Sequence, residues 1–213
     1  MITDITQQLI HTAERLREKK FFRQPGNLIS ALIPGKASLL YITPEGEPQP
    51  CSFADIDRQP EEWRQPLQLH AQIYQSRQDI GAIARLSPQW CHALAQLNEV
   101  MPSVFDEQAR HIGTSWSLNS SEQLLKVIAK GGNCGTLGED QLVFGVTLNR
   151  MVFNAELFEK CAMAYTLARA SGKPVGSVPW WVRLIAGRRM IADEKKAAIS
   201  HQAGQLAEEL RAY

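Results

Sequence analysis

The strongest constraint on how this chain can fold lies in residues 22–55, FRQPGNLISALIPGKASLLYITPEGEPQPCSFAD. Pro25 disfavours helix in the residue before it and Gly26 permits a sharp turn, so a helical pattern arriving from the N-terminus has to stop here. Residues 38–43 then read as a strand, with Leu39, Leu40, Tyr41 and Ile42 as a short buried apolar run. Thr43, Pro44, Glu45 and Gly46 make a turn. Helix, glycine turn, strand and proline turn follow each other without a linker.

The same alternation continues along the chain. Ile5, Leu9, Thr12, Ala13 and Leu16 recur at helical spacing, with Arg15, Arg17, Glu18, Lys19 and Lys20 around the rest of the wheel, which predicts an amphipathic first helix. After a polar stretch from Phe53, a helix is expected by Leu67, with Leu69, Ile73 and Tyr74 on its apolar face. Residues 80–86 read as a second strand. Ser87 and Pro88 suit a helix start, the serine as cap and the proline where no amide hydrogen is needed, and Trp90, Leu94 and Leu97 continue it. The segment VFDEQARHIG predicts a short helix ended by Gly113. Asn119 to Glu122 has the spacing of a capping box for a helix that stops at Gly131 and Gly132. Residues 141–146 read as a later strand, and Met151, Ala155, Phe158, Ala162 and Tyr165 share one face of a long helix finishing near Gly172. The tail carries an apolar patch, Val178, Pro179, Trp180, Trp181, Val182, Leu184 and Ile185, and then a charged helix over residues 190–210. Strands interleaved with helices point to an α/β or α+β layer fold in one compact domain.

Charge and cysteine usage narrow the function classes. A net charge of +1 over 213 residues gives no reason to expect nucleic acid or an acidic surface as partner. The four cysteines, Cys51, Cys91, Cys134 and Cys161, contain no Cys-x-x-Cys pair and read as free thiols of a reducing compartment. The N-terminus lacks the pattern of a signal peptide, and no apolar run approaches about 18 residues, so a cytoplasmic protein without a membrane span is expected. Of the histidines, His11, His70, His92, His111 and His201, none has another at two-, three- or four-residue spacing, so no local pair of metal ligands exists. Cys91 and His92 are adjacent, but adjacent helical side chains diverge by about 100° and do not face each other.

The order of these segments resembles the class II aldolase/adducin family, whose members carry a Gly-Asn-x-Ser turn and an Ile-Thr-Pro-Ser/Thr-Gly turn. The corresponding residues here are Gly26, Asn27, Leu28, Ile29 and Ser30, one residue longer, and Ile42, Thr43, Pro44, Glu45 and Gly46. LHAQIYQSRQDIGAIARLSPQW, MPSVFDEQARHIG and VFGVTLNRMVFNAELFEKCAMAYTLARASGKP extend the likeness over about residues 5–174. The resemblance implies an α/β protein built as a three-layer α/β/α sandwich around a mostly antiparallel central sheet, often assembled as a homo-tetramer. It divides the chain into an aldolase/adducin-like domain over residues 1–174 and a tail, 175–213, that packs on the same domain or on a neighbouring subunit.

Active members of that family use a divalent metal held by histidines to stabilise an enediolate while a sugar phosphate is cleaved. Carried over residue by residue, the chemistry is missing. The family's His-x-His falls on Ala84, Arg85 and Leu86, or on Arg85, Leu86 and Ser87; its third histidine falls on Asp140 or Gln141; its acid/base glutamate falls on Pro66. The hydroxyl of its phosphate turn becomes Glu45, whose carboxylate repels a phosphate at short range. The expectation is therefore a binding or assembly module without zinc-dependent aldolase activity, holding no metal and no cofactor. The candidate pocket is Gly26, Asn27, Ser30, Thr43, Glu45, Gly46, His70 and Arg85. Arg85 either binds a small anionic ligand in the old metal position or pairs with a carboxylate such as Glu45, and His70 is expected to be packed or hydrogen-bonded on its helix. The alternative is a metal-independent carbon-carbon lyase, its pocket rebuilt around Arg85, Glu45 and His70, acting on a small anionic carbonyl compound. The exposed tryptophans suggest a homo-oligomer.

Overall fold

A computed structural model describes residues 1–209. The first helix, α1 (Ile2–Glu18), buries Ile5, Leu9, Thr12, Ala13 and Leu16, the face read from the sequence. Gly26 adopts φ +86°, a left-handed conformation suited to glycine, and the chain enters β1 (Leu28–Leu32) directly. β2 (Ser38–Ile42), the Thr43–Gly46 turn and β3 (Gln49–Ser52) follow. A 3-10 turn (Phe53–Arg58) leads to α2 (Glu61–Ser76), and β4 (Ala82–Leu86), α3 (Gln89–Gln96), α4 (Asp106–His111) and β5 (Trp116–Leu118) come next. The remaining elements are α5 (Leu124–Ile128), β6 (Cys134–Leu137), β7 (Asp140–Gly145), α6 (Leu148–Ala170) and α7 (Trp180–Gln202).

The seven strands form one sheet in the order β3-β2-β1-β4-β7-β6-β5. It is mixed: β5 runs parallel to β6, and the other neighbours are antiparallel. Successive strand side chains point to opposite faces, and both faces are covered. Ile29, Ala31, Leu40, Ile42, Ala82, Ala84 and Val143 pack with α1, α3 and α6 on one side. Leu28, Leu39, Tyr41, Ile83, Leu142 and Phe144 pack with α2 and α5 on the other. Burial on both faces explains why the central strands read as continuous apolar runs. At Gly145 an added Cβ would stand 2.2 Å from the Met151 amide nitrogen, so only glycine lets β7 turn into α6 this closely.

The layered α/β/α architecture is the one expected, with local differences. β1 begins where the sequence suggested only a turn, and β3, β5 and β6 went unread: β3 carries Pro50 on a sheet edge, β5 has three residues, and β6 is short and includes Gly135. Ser87 does not cap α3; its hydroxyl is engaged elsewhere, and the amides of Trp90 and Cys91 donate instead to the carboxylate of Glu159 on α6, both at 2.8 Å. The Asn119 capping box does not form, because a 3-10 turn (Ser121–Gln123) with no side-chain cap precedes α5. In the tail, the apolar patch is the first part of α7 itself, and the helix ends at Gln202. The predicted end at Leu210 lies outside the described residues.

α7 packs against α4 and is fastened by buried charge. Arg77, 8% exposed, donates to Asp79, Asn133, Glu194 and the Gly132 carbonyl, and Arg110 pairs with Asp193. No helix among the described residues is long and apolar enough to cross a membrane. Replacing the long-range cap by Glu159→Ala leaves two helix-start amides without their acceptor. The expected loss is about 1–2 kcal/mol in urea unfolding, with Glu159→Gln losing less; an unchanged midpoint for Glu159→Ala would contradict this role.

Candidate functional site

The end of β4 and the start of β7 lie side by side, with Leu86 opposite Gln141. That register sets Arg85 beside Asp140, and the Arg85 Nε donates to Asp140 Oδ2 at 2.7 Å. The other carboxylate oxygen accepts from the Ser87 hydroxyl at 2.6 Å. Ser87 in turn accepts from Asn27 Nδ2 at 2.9 Å. Asn27 Oδ1 receives the amides of Arg23 and Gln24 at 3.1 and 3.0 Å, closing its own turn. A continuous relay therefore runs from the Gly26 turn to β7, and each partner in it is already used.

A second cluster lies inside the layer beneath the sheet. Ser30 Oγ sits 2.8 Å from His70 Nδ1 and 2.9 Å from the Tyr74 hydroxyl, which donates to the Ser30 carbonyl. All three residues are buried, His70 at 1% exposure. Burial, with a smaller contribution from the Arg85 charge, brings the His70 pKa down to about 3, so the ring is neutral. This is the packed, hydrogen-bonded histidine that the sequence suggested.

The remaining candidates form a rim. The carbonyls of Thr43 and Pro44 accept from Arg17, and the Gly46 amide donates to the Thr43 carbonyl. Thr43 and Glu45 line a hollow of about 370 Å³ with Gly26, Arg23, Glu62 and Trp63. Arg85 lines a different hollow of about 280 Å³, with Gln65, Asn119, Ser120, Ser121 and Gly138 among its walls. Asn27 and Arg85 thus meet through Ser87 and Asp140, and Ser30 meets His70. Arg85, Glu45 and His70 do not share one hollow, and the carboxylate that pairs with Arg85 is Asp140, not Glu45. Glu45 is instead exposed on its turn.

The ion pair was within reach of the sequence. The resemblance had already set Arg85 and Asp140 at positions that converge in the family, and opposite charges there signal a pair. What was missing was the strand register. The importance of Ser87 was hidden by its suitability as a helix cap.

These residues do not fit a divalent metal. At the carried-over positions stand either Ala84 and Leu86 or Arg85 and Ser87, with Asp140 or Gln141 as the third; of these only Asp140 is a usual ligand of a dication, and both its oxygens already accept hydrogen bonds. The Arg85–Asp140 pair is neutral as a whole, so repulsion of a dication by the guanidinium offsets the attraction that the lone carboxylate would supply. Among the described residues no three His, Cys, Asp or Glu side chains gather as a metal requires.

The neutral His70 makes a pH prediction. Its folded pKa lies below the ordinary 6.5, so its stabilising contribution is complete above that pH and is lost as the pH falls toward 3. At pH 5 the penalty is about 2 kcal/mol from this group. His111, lowered to about 4 by burial and the charges of Arg150 and Arg110, adds a term of the same sign. Chemical denaturation at several pH values should therefore show stability falling between neutral pH and 5, with a shallower fall in His70→Asn; equal slopes would contradict it.

Comparison with known proteins agrees with this architecture. No curated protein matches the chain significantly. Among solved structures, an L-fuculose 1-phosphate aldolase superposes with TM-score 0.66 at 19% identity, covering 88% of this chain and 96% of that one. YgbL from Klebsiella pneumoniae, described as a putative aldolase/epimerase/decarboxylase, gives TM-score 0.66 at 14% identity, covering 86% and 98%. An L-fuculose 1-phosphate aldolase from Glaciozyma antarctica PI12 gives 0.65 at 13% identity, covering 96% and 92%. At such identities these likenesses concern the fold. The family described as Class II Aldolase and Adducin N-terminal domain matches residues 7–166, about three quarters of the 213-residue chain, and the protein belongs to that family.

Proposed function

We propose that this chain is a class II aldolase-fold protein that has given up zinc-dependent aldol cleavage and works as a binding and assembly module. The observation that carries the reading is the relay of Asn27, Ser87, Asp140 and Arg85 across the positions where the resemblance puts metal ligands. A carbanion beside a carbonyl needs an electrophile to hold its charge. Here the place is taken by a guanidinium tied to its own counter-ion. Pro66, inside α2, offers no acid or base where the family's glutamate falls.

The ligand class follows from the hollow beside Arg85. Its walls offer one guanidinium, the amides of Gln65 and Asn119 and the hydroxyls of Ser120 and Ser121, a set suited to a small anionic carbonyl compound. The Glu45 hollow sets two carboxylates, Glu45 and Glu62, against one guanidinium, Arg23, and so offers a phosphate no net positive charge. The tail, with Trp180, Trp181, Leu184 and Ile185 exposed on α7, is the assembly element of a cytoplasmic homo-oligomer, a tetramer by resemblance.

Two measurements test the reading together. Retro-aldol assays on sugar phosphates with zinc supplied should remain at background. Pyruvate, as a small carboxylate probe, should raise the thermal midpoint, and Arg85→Ala should weaken its binding at least about tenfold, some 1.4 kcal/mol. Zinc-dependent cleavage would overturn the loss of activity, and pyruvate binding unaffected by Arg85→Ala would remove the ligand site. Turnover of an anionic carbonyl compound without metal would replace the module with a metal-independent lyase.

A further inference from the structure

α7 is fastened to the domain by charge more than by apolar packing. Of its 23 residues only Ala186, Met190, Ala197 and His201 are buried. Two methyl groups and one thioether chain remove little apolar surface from water, and the larger apolar side chains of this helix, Trp180, Trp181, Leu184 and Ile185 among them, are exposed. What fixes it is polar. Asp193 pairs with Arg110 of α4, Glu194 accepts from Arg77 at 3.2 Å and from Asn133 at 2.9 Å, and His201 bonds the Gln78 carbonyl at 3.0 Å. An element with so little apolar burial can open on its own.

His111 closes α4 and lies within that polar layer. Its Nδ1 is 2.7 Å from Arg150 Nη1 on α6. A guanidinium only donates, so Nδ1 must offer a lone pair, and the ring is neutral with its proton on Nε2. The charges that act on the ring are Arg150 from α6, Arg110 from its own helix and Asp193 from α7. Asp79, before β4, and Glu194 of α7 line the same hollow, and Asn133, before β6, donates to both the His111 carbonyl and Glu194. The Phe153 ring of α6 stands edge-on to the imidazole at 4.9 Å.

A proton on Nδ1 would turn an N–H against the N–H of Arg150 and set a third cation beside Arg150 and Arg110. Asp193, the carboxylate within reach, already serves Arg110. α6 cannot yield, because ten of its residues are buried. α7, whose Met190, Asp193 and Glu194 wall the hollow, can lift and admit water to the cations. We propose that α7 is a latch that protonation of His111 opens while the sheet stays folded. Burial and the charges of Arg150 and Arg110 hold the closed ring at about 4, so the latch is fully shut above pH 6.5 and weakens as the pH falls toward 4. Glu194, whose carboxyl burial pushes up, responds in the opposite sense, but Arg77 and Asn133 restrain that rise. The opening is independent of what the outward face of α7 binds.

Amide hydrogen exchange of the full chain at pH 7 and at about pH 4.5, each corrected for intrinsic rates, tests the latch. α7 should exchange at least about tenfold faster in acid, and there faster than β4 and β7. His111→Gln, whose side-chain oxygen can accept from Arg150 without titrating, should abolish the acceleration, whereas His70→Asn, on α2, should leave it in place. Equal corrected rates for α7 and the sheet in acid, an acceleration that survives His111→Gln, or one lost with His70→Asn overturns the proposal. Ring nitrogen chemical shifts of the wild type supply a readout that needs no variant. The neutral Nε2–H tautomer of His111 is expected at pH 7, and an Nδ1–H or charged ring there overturns the proposal as well.

Discussion

Two opposite charges at neighbouring strand ends, Arg85 closing β4 and Asp140 opening β7, hold together the part of this molecule where function would reside. The pair is partly exposed, so its direct contribution to stability is modest, about 1 kcal/mol or less. Its chemical consequence is larger. Arg85 brings a fixed positive charge to the strand ends, as a donor with a rigid planar fork and no open coordination position. Asp140 passes the constraint through Ser87 to Asn27, so the first turn of the domain is tied to the centre of the sheet.

Most of the fold's stability is built away from this relay. Two apolar layers cover the two faces of the sheet, and neither includes the relay. His70 is neutral and enclosed with Ser30 and Tyr74, hydrogen-bonded to the Ser30 hydroxyl of β1. Gly26 and Asn27 are explained by the turn they make: one adopts a left-handed conformation, the other accepts two amides of that turn. The family's shape is thus held by packing and turn geometry, with a polar relay across the strand ends.

Much of the fold was legible in the sequence because helical periodicity and glycine stops are local. α1, α2 and α6 appear where Leu9, Ile73 and Phe158 predicted them, and β2, β4 and β7 where their apolar runs fall. β1 was obscured by the Gly-Asn turn before it, and β3, β5 and β6 are too short to reveal a period. At the site, the choice between Glu45 and Asp140 as partner of Arg85 depended on strand order. Capping failed for the same reason. Ser87 looks like a cap in one dimension, yet Glu159, from a helix distant in sequence, reaches the amides and leaves Ser87 to the relay.

If a guanidinium occupies the place of a dication, the chain should not take up zinc. Calorimetric titration of the chelator-treated protein with zinc tests it most directly, run beside a variant in which Arg85, Ser87 and Asp140 are each changed to histidine. The wild type should show no one-to-one zinc binding and the variant one zinc per chain, since three imidazoles then converge without a fixed cation. Tight one-to-one binding of zinc by the wild type would contradict it.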